Sequence, residues 1–394
     1  MAERPVYLDH AASSPLRPEA LAAMSAYDAS AIAGANPNSL HTLGRRAARE
    51  LDGARRALVD CLGGHFRPSD VTFTSGGTES NNLAVIGLAE GARGRDSRRR
   101  RVVVSAIEHD SVLDLVGPLH ERGFEVDLVR PDRSGVVGPE ALEALLDETC
   151  ALVSVMYANN ETGVIQPVSA LARAAHAAGA LFHTDTVQAL GHVPLDLGEV
   201  DAVSVAAHKL GGPVGVGALV CRGRAPLRPL SFGGGQEQGR RAGTQDVRGA
   251  LAFAAAAQAC SVDLGATRAL VSARARRLVG RLCAEGTGIV RTTDAADRLP
   301  GIVSVMAPGL DSETMILALD QAGFEVSAGS ACSSGSLDAS HVLLAMGIPR
   351  EKALGSLRIS FDERVDERDL DRFADTLIAI VAERGRDRAR RPRD

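Results

Sequence analysis

Of the 44 basic side chains in this sequence only Lys209 and Lys352 are lysines; the others are arginines. In so arginine-rich a chain each surviving lysine is a candidate for a place where arginine cannot substitute. A desolvated lysine can lose its proton and act as a base or an imine-forming amine; a guanidinium cannot. Lys209 lies in Ala206-Ala-His-Lys-Leu-Gly-Gly-Pro213, whose apolar and glycine neighbours solvate an ammonium poorly, as an imine-forming amine requires. The six cysteines, at 61, 150, 221, 260, 283 and 332, include no Cys-x-x-Cys pair. No disulfide framework or zinc ribbon is therefore read, and each cysteine is either a small buried apolar group or a reactive thiol. Cys150, Cys221 and Cys260 border or lie in apolar runs. Cys332 sits in the small, polar stretch Ser327-Ala-Gly-Ser-Ala-Cys-Ser-Ser-Gly-Ser-Leu-Asp338, the opposite of a core setting.

Two further motifs have types suited to holding a charged ligand. Thr74-Ser-Gly-Gly-Thr-Glu-Ser80 joins a strand pattern to a helix pattern, and glycines before a helix start let backbone N–H groups approach an anion. It is neither G-x-G-x-x-G nor a P-loop, and by itself it reads equally as a tight turn. His183-Thr-Asp-Thr-Val-Gln188 places Asp185 at a strand end, where a turn-capping role is the plain alternative. Phosphate cup, carboxylate and lysine together suggest pyridoxal 5′-phosphate: the cup takes the phosphate, the carboxylate the pyridine nitrogen, and the lysine the carbonyl.

The elements that must position these groups alternate. Short β-branched runs at 71–74, 102–105, 125–130, 152–156, 181–184, 202–205 and 217–220 read as strands, with helical patterns such as 139–147 and 168–178 between them. Such alternation predicts an α/β fold with a mostly parallel sheet covered by helices on both faces, and ligands at the carboxyl ends of its strands. A Gly-rich segment at 232–239 and one long helix over 247–282 follow. The pattern then restarts as strand, helix, strand, helix, strand, helix from 301 to 383, a smaller α+β unit. The chain divides on this reading into 1–258, a large cofactor domain, and 259–394, with the first residues able to pack on either. Arg98-Arg-Arg-Arg101 reads as a solvated loop and 384–394 as a frayed tail.

Composition excludes much else. At 394 residues with 45% hydrophobic and 24% charged side chains the chain is an ordinary globular one of two to three domains. A net charge of −5 and only 3% aromatics argue against direct nucleic-acid binding. No apolar run spans a bilayer and no signal peptide is read, so no membrane contact and a cytoplasmic location are expected.

Ten motifs, in order, carry a resemblance that covers nearly the whole chain. They are Tyr7-Leu-Asp-His-Ala-Ala12, Asn36-Pro-Asn-Ser-Leu-His41, Thr74-Ser-Gly-Gly-Thr-Glu-Ser80, Glu108-His109 and Asn159-Asn-Glu-Thr-Gly163. After them come Asp185-Thr-Val-Gln188, His208-Lys209, Arg241-Ala-Gly-Thr244, Gly329-Ser-Ala-Cys-Ser-Ser334 and Ser356-Leu-Arg358. The chain resembles the cysteine desulfurases, in the NifS/IscS-like branch of the class V aminotransferase family. The resemblance implies fold type I of the pyridoxal-phosphate transferases, with a seven-stranded sheet, and a homodimer. It also implies conversion of L-cysteine to L-alanine, leaving sulfur on the enzyme for an acceptor protein in iron–sulfur assembly or tRNA or cofactor thiolation.

Residue roles follow from the resemblance alone. Lys209 would bind the cofactor covalently and then move the substrate's α-proton; Cys332 would be the nucleophile that takes the sulfur as a persulfide. His109 would stack on the ring and handle protons at the substrate sulfur. Asp185 would pair with the ring nitrogen, with Gln188 and Asn160 near its phenolic oxygen. Gly77, Thr78 and His208 would bind phosphate, joined by Thr244 of the neighbouring subunit. Arg358, a bidentate fork, would clamp the substrate carboxylate, with Asn36 also assigned to substrate; no metal is implied. One position departs from the pattern: Ala206 stands where the family usually has a phosphate-contacting serine. A selenocysteine lyase or another class V lyase or aminotransferase is the nearest alternative, and a non-catalytic scaffold for a sulfur-transfer partner the alternative of another class.

Overall fold

The computed structural model describes residues 4–329 and 339–390. Its strands, in chain order, are β1 (Val6–Tyr7), β2 (Val71–Thr74), β3 (Arg101–Ser105), β4 (Glu125–Val129), β5 (Cys150–Ser154) and β6 (Leu181–Asp185). They continue with β7 (Ala202–Ala206), β8 (Gly217–Cys221), β9 (Val290–Arg291), β10 (Ile302–Met306), β11 (Phe324–Glu325) and β12 (Ser356–Ser360).

Seven strands form one sheet in the order β2-β8-β7-β6-β5-β3-β4. The pairs from β4 through β7 are parallel, whereas β8 runs antiparallel to both β2 and β7. The expected mostly parallel sheet is thus present, with one reversed strand that hydrophobic pattern cannot reveal. Alternate residues point to opposite faces. Val103, Val153, Phe182, Val203 and Val220 enter one core cluster. Val102, Val104, Leu152, Ala202 and Leu219 enter another, under helix Gly77–Arg95. Burial on both faces explains why these strands read as continuous apolar runs rather than as alternation.

The C-terminal part builds its own core. β10 pairs antiparallel with β9 and β12, and β1 pairs with β11, so the N-terminal segment is fastened to this unit. Leu8 shares its cluster with Val303, Leu357, Phe373 and Leu377. Two expectations need correction. The single long helix over 247–282 is two, Val247–Ser261 and Leu264–Leu282, bent by 72°. Asp263 takes a left-handed φ of 51° at the break, which no Gly or Pro signals. The strand expected at 152–156 lies at Cys150–Ser154, because the Met156 N–H donates to the Glu108 side chain at 2.6 Å, outside any strand ladder. Among the described residues no single helix is long and apolar enough to cross a membrane.

Candidate active site

The carboxyl ends of five strands of the large sheet open on one cavity of about 710 Å³. β2 leads to Gly77 and Thr78, β3 to His109, β5 to Asn160, β6 to Asp185 and Gln188, and β7 to Ala206, His208 and Lys209; Arg358 enters from β12. This is where a parallel sheet leaves its backbone groups and helix starts facing a ligand. Two sequence-assigned residues lie elsewhere. Thr244 and Asn36 are exposed and do not line the cavity of their own protomer. Asn36 Oδ1 instead accepts from the Asn38 backbone at 2.9 Å. Cys332 lies outside the described residues.

Lys209 Nζ donates to the carbonyl oxygens of Ala11 and Ala12 at 2.6 and 2.8 Å, so the N-terminal segment closes one wall of the site. Gln188 Nε2 donates to the same Ala11 oxygen at 3.0 Å. His208 has its pKa pushed down to about 4 by burial, with Lys209 and His109 adding like-charge repulsion. It therefore meets a ligand at neutral pH as a hydrogen-bonding neutral ring, not as a cation.

Asp185 is held on both oxygens. Oδ1 accepts from the Val187 N–H at 2.8 Å and Oδ2 from Asn81 Nδ2 at 2.7 Å. Asn81 Nδ2 also donates to Ser111 Oγ at 2.8 Å, and that hydroxyl lies 2.9 Å from His109 Nδ1. Arg358 is only 1% exposed; Nη2 meets Asp9 Oδ1 at 2.7 Å, and Nη1 donates to the Asn160 carbonyl at 3.2 Å. Glu161 is fully enclosed, bonded to Ser340 Oγ and lining the cavity, and burial raises its carboxyl. Glu108 is also pushed well up by burial, its Oε2 having no partner among the described residues.

Sequence reasoning missed Asp9, Asn81, Ser111 and Glu161 as parts of the site. Asn81 had one usable signal, lying three residues after Thr78 on the same helix face. The others depend on long-range contacts.

The residues present fit pyridoxal phosphate. Gly76 has φ 152° and ψ −175°, a backbone L side chains rarely adopt, and Gly77 opens the helix. A Cβ on Gly77 would fall 3.0 Å from Val187 Cγ2 and 3.6 Å from Ala206 Cβ, filling a cradle that glycine leaves open for an anion. A fixed carboxylate and a primary amine line the same cavity. Among the described residues no cluster of three His, Cys, Asp or Glu side chains is arranged for a metal.

Comparison with known proteins agrees with this donor set. Residues 6–373 match the family described as Aminotransferase class-V. An IscS-like cysteine desulfurase of Mycobacterium tuberculosis is 42% identical over 382 residues, covering 95% of this chain and 96% of that protein. A cysteine desulfurase of Cereibacter sphaeroides is 42% identical over 381 residues, covering 95% of each. Among solved structures, a NifS-like protein superposes with a TM-score of 0.87 at 35% identity, covering 96% of this chain and 99% of its own. A match of this extent, on a chain whose sheet edge gathers lysine, aspartate and histidine in one cavity, places it in the class-V aminotransferases, a pyridoxal-phosphate-dependent enzyme family.

Proposed function

We infer that this chain is a cysteine desulfurase, taking L-cysteine to L-alanine and storing the sulfur as a persulfide on Cys332. The observation that carries the reading is the convergence of Lys209, Asp185, His109 and Arg358 on one cavity, in a chain whose relatives bear that name. Pyridoxal phosphate, when bound, supplies an electron sink for the substrate's Cα. The chain's own residues do the rest. Arg358 orients the substrate carboxylate with its planar fork. Lys209, whose amine lines the cavity beside the carbonyl oxygens of Ala11 and Ala12, moves the Cα proton. His109 holds a proton at the substrate sulfur, and Cys332 accepts the sulfur. In balance, cysteine plus the Cys332 thiol gives alanine plus the Cys332 persulfide.

The enzyme is proposed to work as a cytoplasmic homodimer, in which an exposed Thr244 reaches the phosphate end of the partner's cavity. The division into 1–258 and 259–394 is part of the same proposal. The acceptor is a protein of iron–sulfur assembly or of tRNA or cofactor thiolation.

The test is turnover of L-cysteine, reading alanine and the persulfide-bearing peptide together. Alanine in step with a persulfide on the 327–338 peptide is expected. Undiminished alanine formation by Cys332→Ala would instead favour a lyase that does not use the thiol.

A further inference from the structure

The first turns of helix Gly77–Arg95 touch three separate parts of the site. Thr78 lines the cavity. Asn82 Nδ2 donates to the carbonyls of Thr78 and Ser111 at 2.9 and 3.0 Å. Asn81, 1% exposed, donates through one nitrogen to Asp185 Oδ2 and to Ser111 Oγ. Residues three and four apart share a helix face, so one face presents Thr78, Asn81 and Asn82 to these partners.

Hydrogen-bond bookkeeping then fixes protons along the row. The Asn81 amide must turn Nδ2 toward Asp185, because the reverse would set its oxygen against a carboxylate. Ser111 Oγ accepts from that amide, which leaves the hydroxyl proton for His109 Nδ1 at 2.9 Å. The Ser111 backbone N–H also donates to Nδ1, at 3.0 Å. A ring nitrogen that receives two donors carries no proton of its own, so the neutral ring bears its proton on Nε2. The cost is visible at the other end of the amide: Asn81 Oδ1 is buried without a partner among the described residues. A buried acceptor left without a partner is costly and calls for an explanation, which the two bonds made by Nδ2 supply.

We propose that Asn81 is a positioning residue that ties Asp185 to His109 through Ser111: its amide fixes the carboxylate and turns the Ser111 hydroxyl proton onto His109 Nδ1, where it joins the Ser111 N–H in holding the Nε2–H tautomer. The proposal rests on the reading above, in which both side chains would hold the cofactor ring. It adds that the two groups respond together when the amide is lost.

The test begins with protein free of cofactor, grown with 15N-histidine, whose two-bond proton–nitrogen correlations report each ring's tautomer. The His109 signals are those missing in His109→Gln. The wild type should show protonated Nε2 and acceptor Nδ1. Asn81→Leu, of similar shape but no donor, leaves the Ser111 N–H on Nδ1 but frees the hydroxyl to turn away, and should move the His109 nitrogens part of the way toward an exchange-averaged pattern. Ser111→Ala, which removes only the hydroxyl, should move them the same way and serves if Asn81→Leu fails to fold. In cofactor-loaded protein both substitutions should shift the visible absorbance maximum. An Nδ1–H tautomer in the wild type, or a His109 pattern unmoved by both substitutions, overturns the proposal and leaves the desulfurase reading intact. Tautomer changes as expected with no effect on the bound cofactor's spectrum would support the Asn81 link and instead overturn the placing of Asp185 and His109 about that ring.

Discussion

The guanidinium of Arg358, on β12, reaches the N-terminal segment and meets Asp9 Oδ1 at 2.7 Å, across 349 residues of chain. Arg358 is nearly fully buried and Asp9 about one-fifth exposed, at 2% and 19% of their side chains. A buried cation without its partner is costly, and removing one member of such a pair typically costs 3–5 kcal/mol. Asp9's partial exposure places Asp9→Ala at the lower end, about 3 kcal/mol. The fork would also lose the contact that aims it, so KM for cysteine should rise more than kcat falls. Urea unfolding and steady-state kinetics check both parts. A loss under 0.5 kcal/mol with unchanged KM would show that Asp9 does not hold the clamp.

Lys209→Ala should abolish turnover, because the cavity contains no other lysine. The same variant should lose the borohydride-stabilised cofactor adduct. Peptide mapping of the wild-type adduct should find it on Lys209. An adduct on Lys352, which lies in the short helix Arg350–Ala353 of the C-terminal unit, would refute the assignment.

Much of this was legible because burial on both faces leaves β-branched runs. β2 lies where the pattern put it, and β3, β6, β7 and β8 differ by a residue at one end. Strand direction was not legible, since β8's apolar run reads alike in either sense. The break at Val262 and Asp263 was hidden because a non-glycine residue adopts the left-handed turn. At the site, residue types announced Lys209, Asp185 and the glycine turn. Asn81 and Asp9 remained silent because their partners lie 104 and 349 residues away. An amide or carboxylate gives no local pattern for such a contact.

Stability of the cofactor-free protein should fall on acidification through a buried histidine that does not line the cavity. His183 lies in mid-sheet between Ser154 Oγ and Ser204 Oγ, each at 2.9 Å, and burial pushes its pKa down to about 3. The unfolded chain binds this proton below about pH 6.5 while the folded chain refuses it, so stability drops as pH falls through that window. The loss is about 2 kcal/mol between pH 7 and pH 5. His208 acts in the same sense. Glu108 opposes them: its raised carboxyl pKa gives stability that is full at low pH and lost as pH rises. Urea unfolding at pH 7, 6 and 5 should show a flatter dependence for His183→Gln and a steeper one for Glu108→Gln. Matching slopes in wild type and His183→Gln would mean that His183 protonates within the fold.

Ala206 ends β7 with 1% exposure and lines the cavity beside Gly77. A serine there would add a hydroxyl to the phosphate cup. A hydrogen bond to a charged group contributes about 1.5–3 kcal/mol, which is roughly ten- to a hundredfold in affinity. The lower end is expected, because Thr78, His208 and the helix start already offer donors and a water can fill the space. Cofactor binding after hydroxylamine release, compared between wild type and Ala206→Ser, measures the gain. Unchanged or weaker binding would show that the cup is complete with alanine.

The remaining prediction concerns which thiol carries sulfur, and the five described cysteines argue it by their surroundings. Burial pushes Cys221 up to about 12 and Cys260 up to about 11. Cys61, Cys150 and Cys283 are also raised, in each case chiefly by burial. A thiol with a pKa near 11 is about one part in ten thousand thiolate at pH 7, against a few per cent for an ordinary thiol, and the thiolate is the nucleophile. None of the five lines the cavity. Cys332 alone lies in a small, polar stretch of sequence, between Gly329 and Ala339, both of which do line it. Cys332→Ser should therefore keep cofactor binding and the spectral change on adding cysteine, since neither needs the thiol. Persulfide on the protein and sulfide released by reductant should fall to background. Mass spectrometry of the tryptic peptides after a cysteine pulse decides the point. Persulfide persisting on another cysteine in that variant, with sulfur transfer at the wild-type rate, would make that residue the carrier.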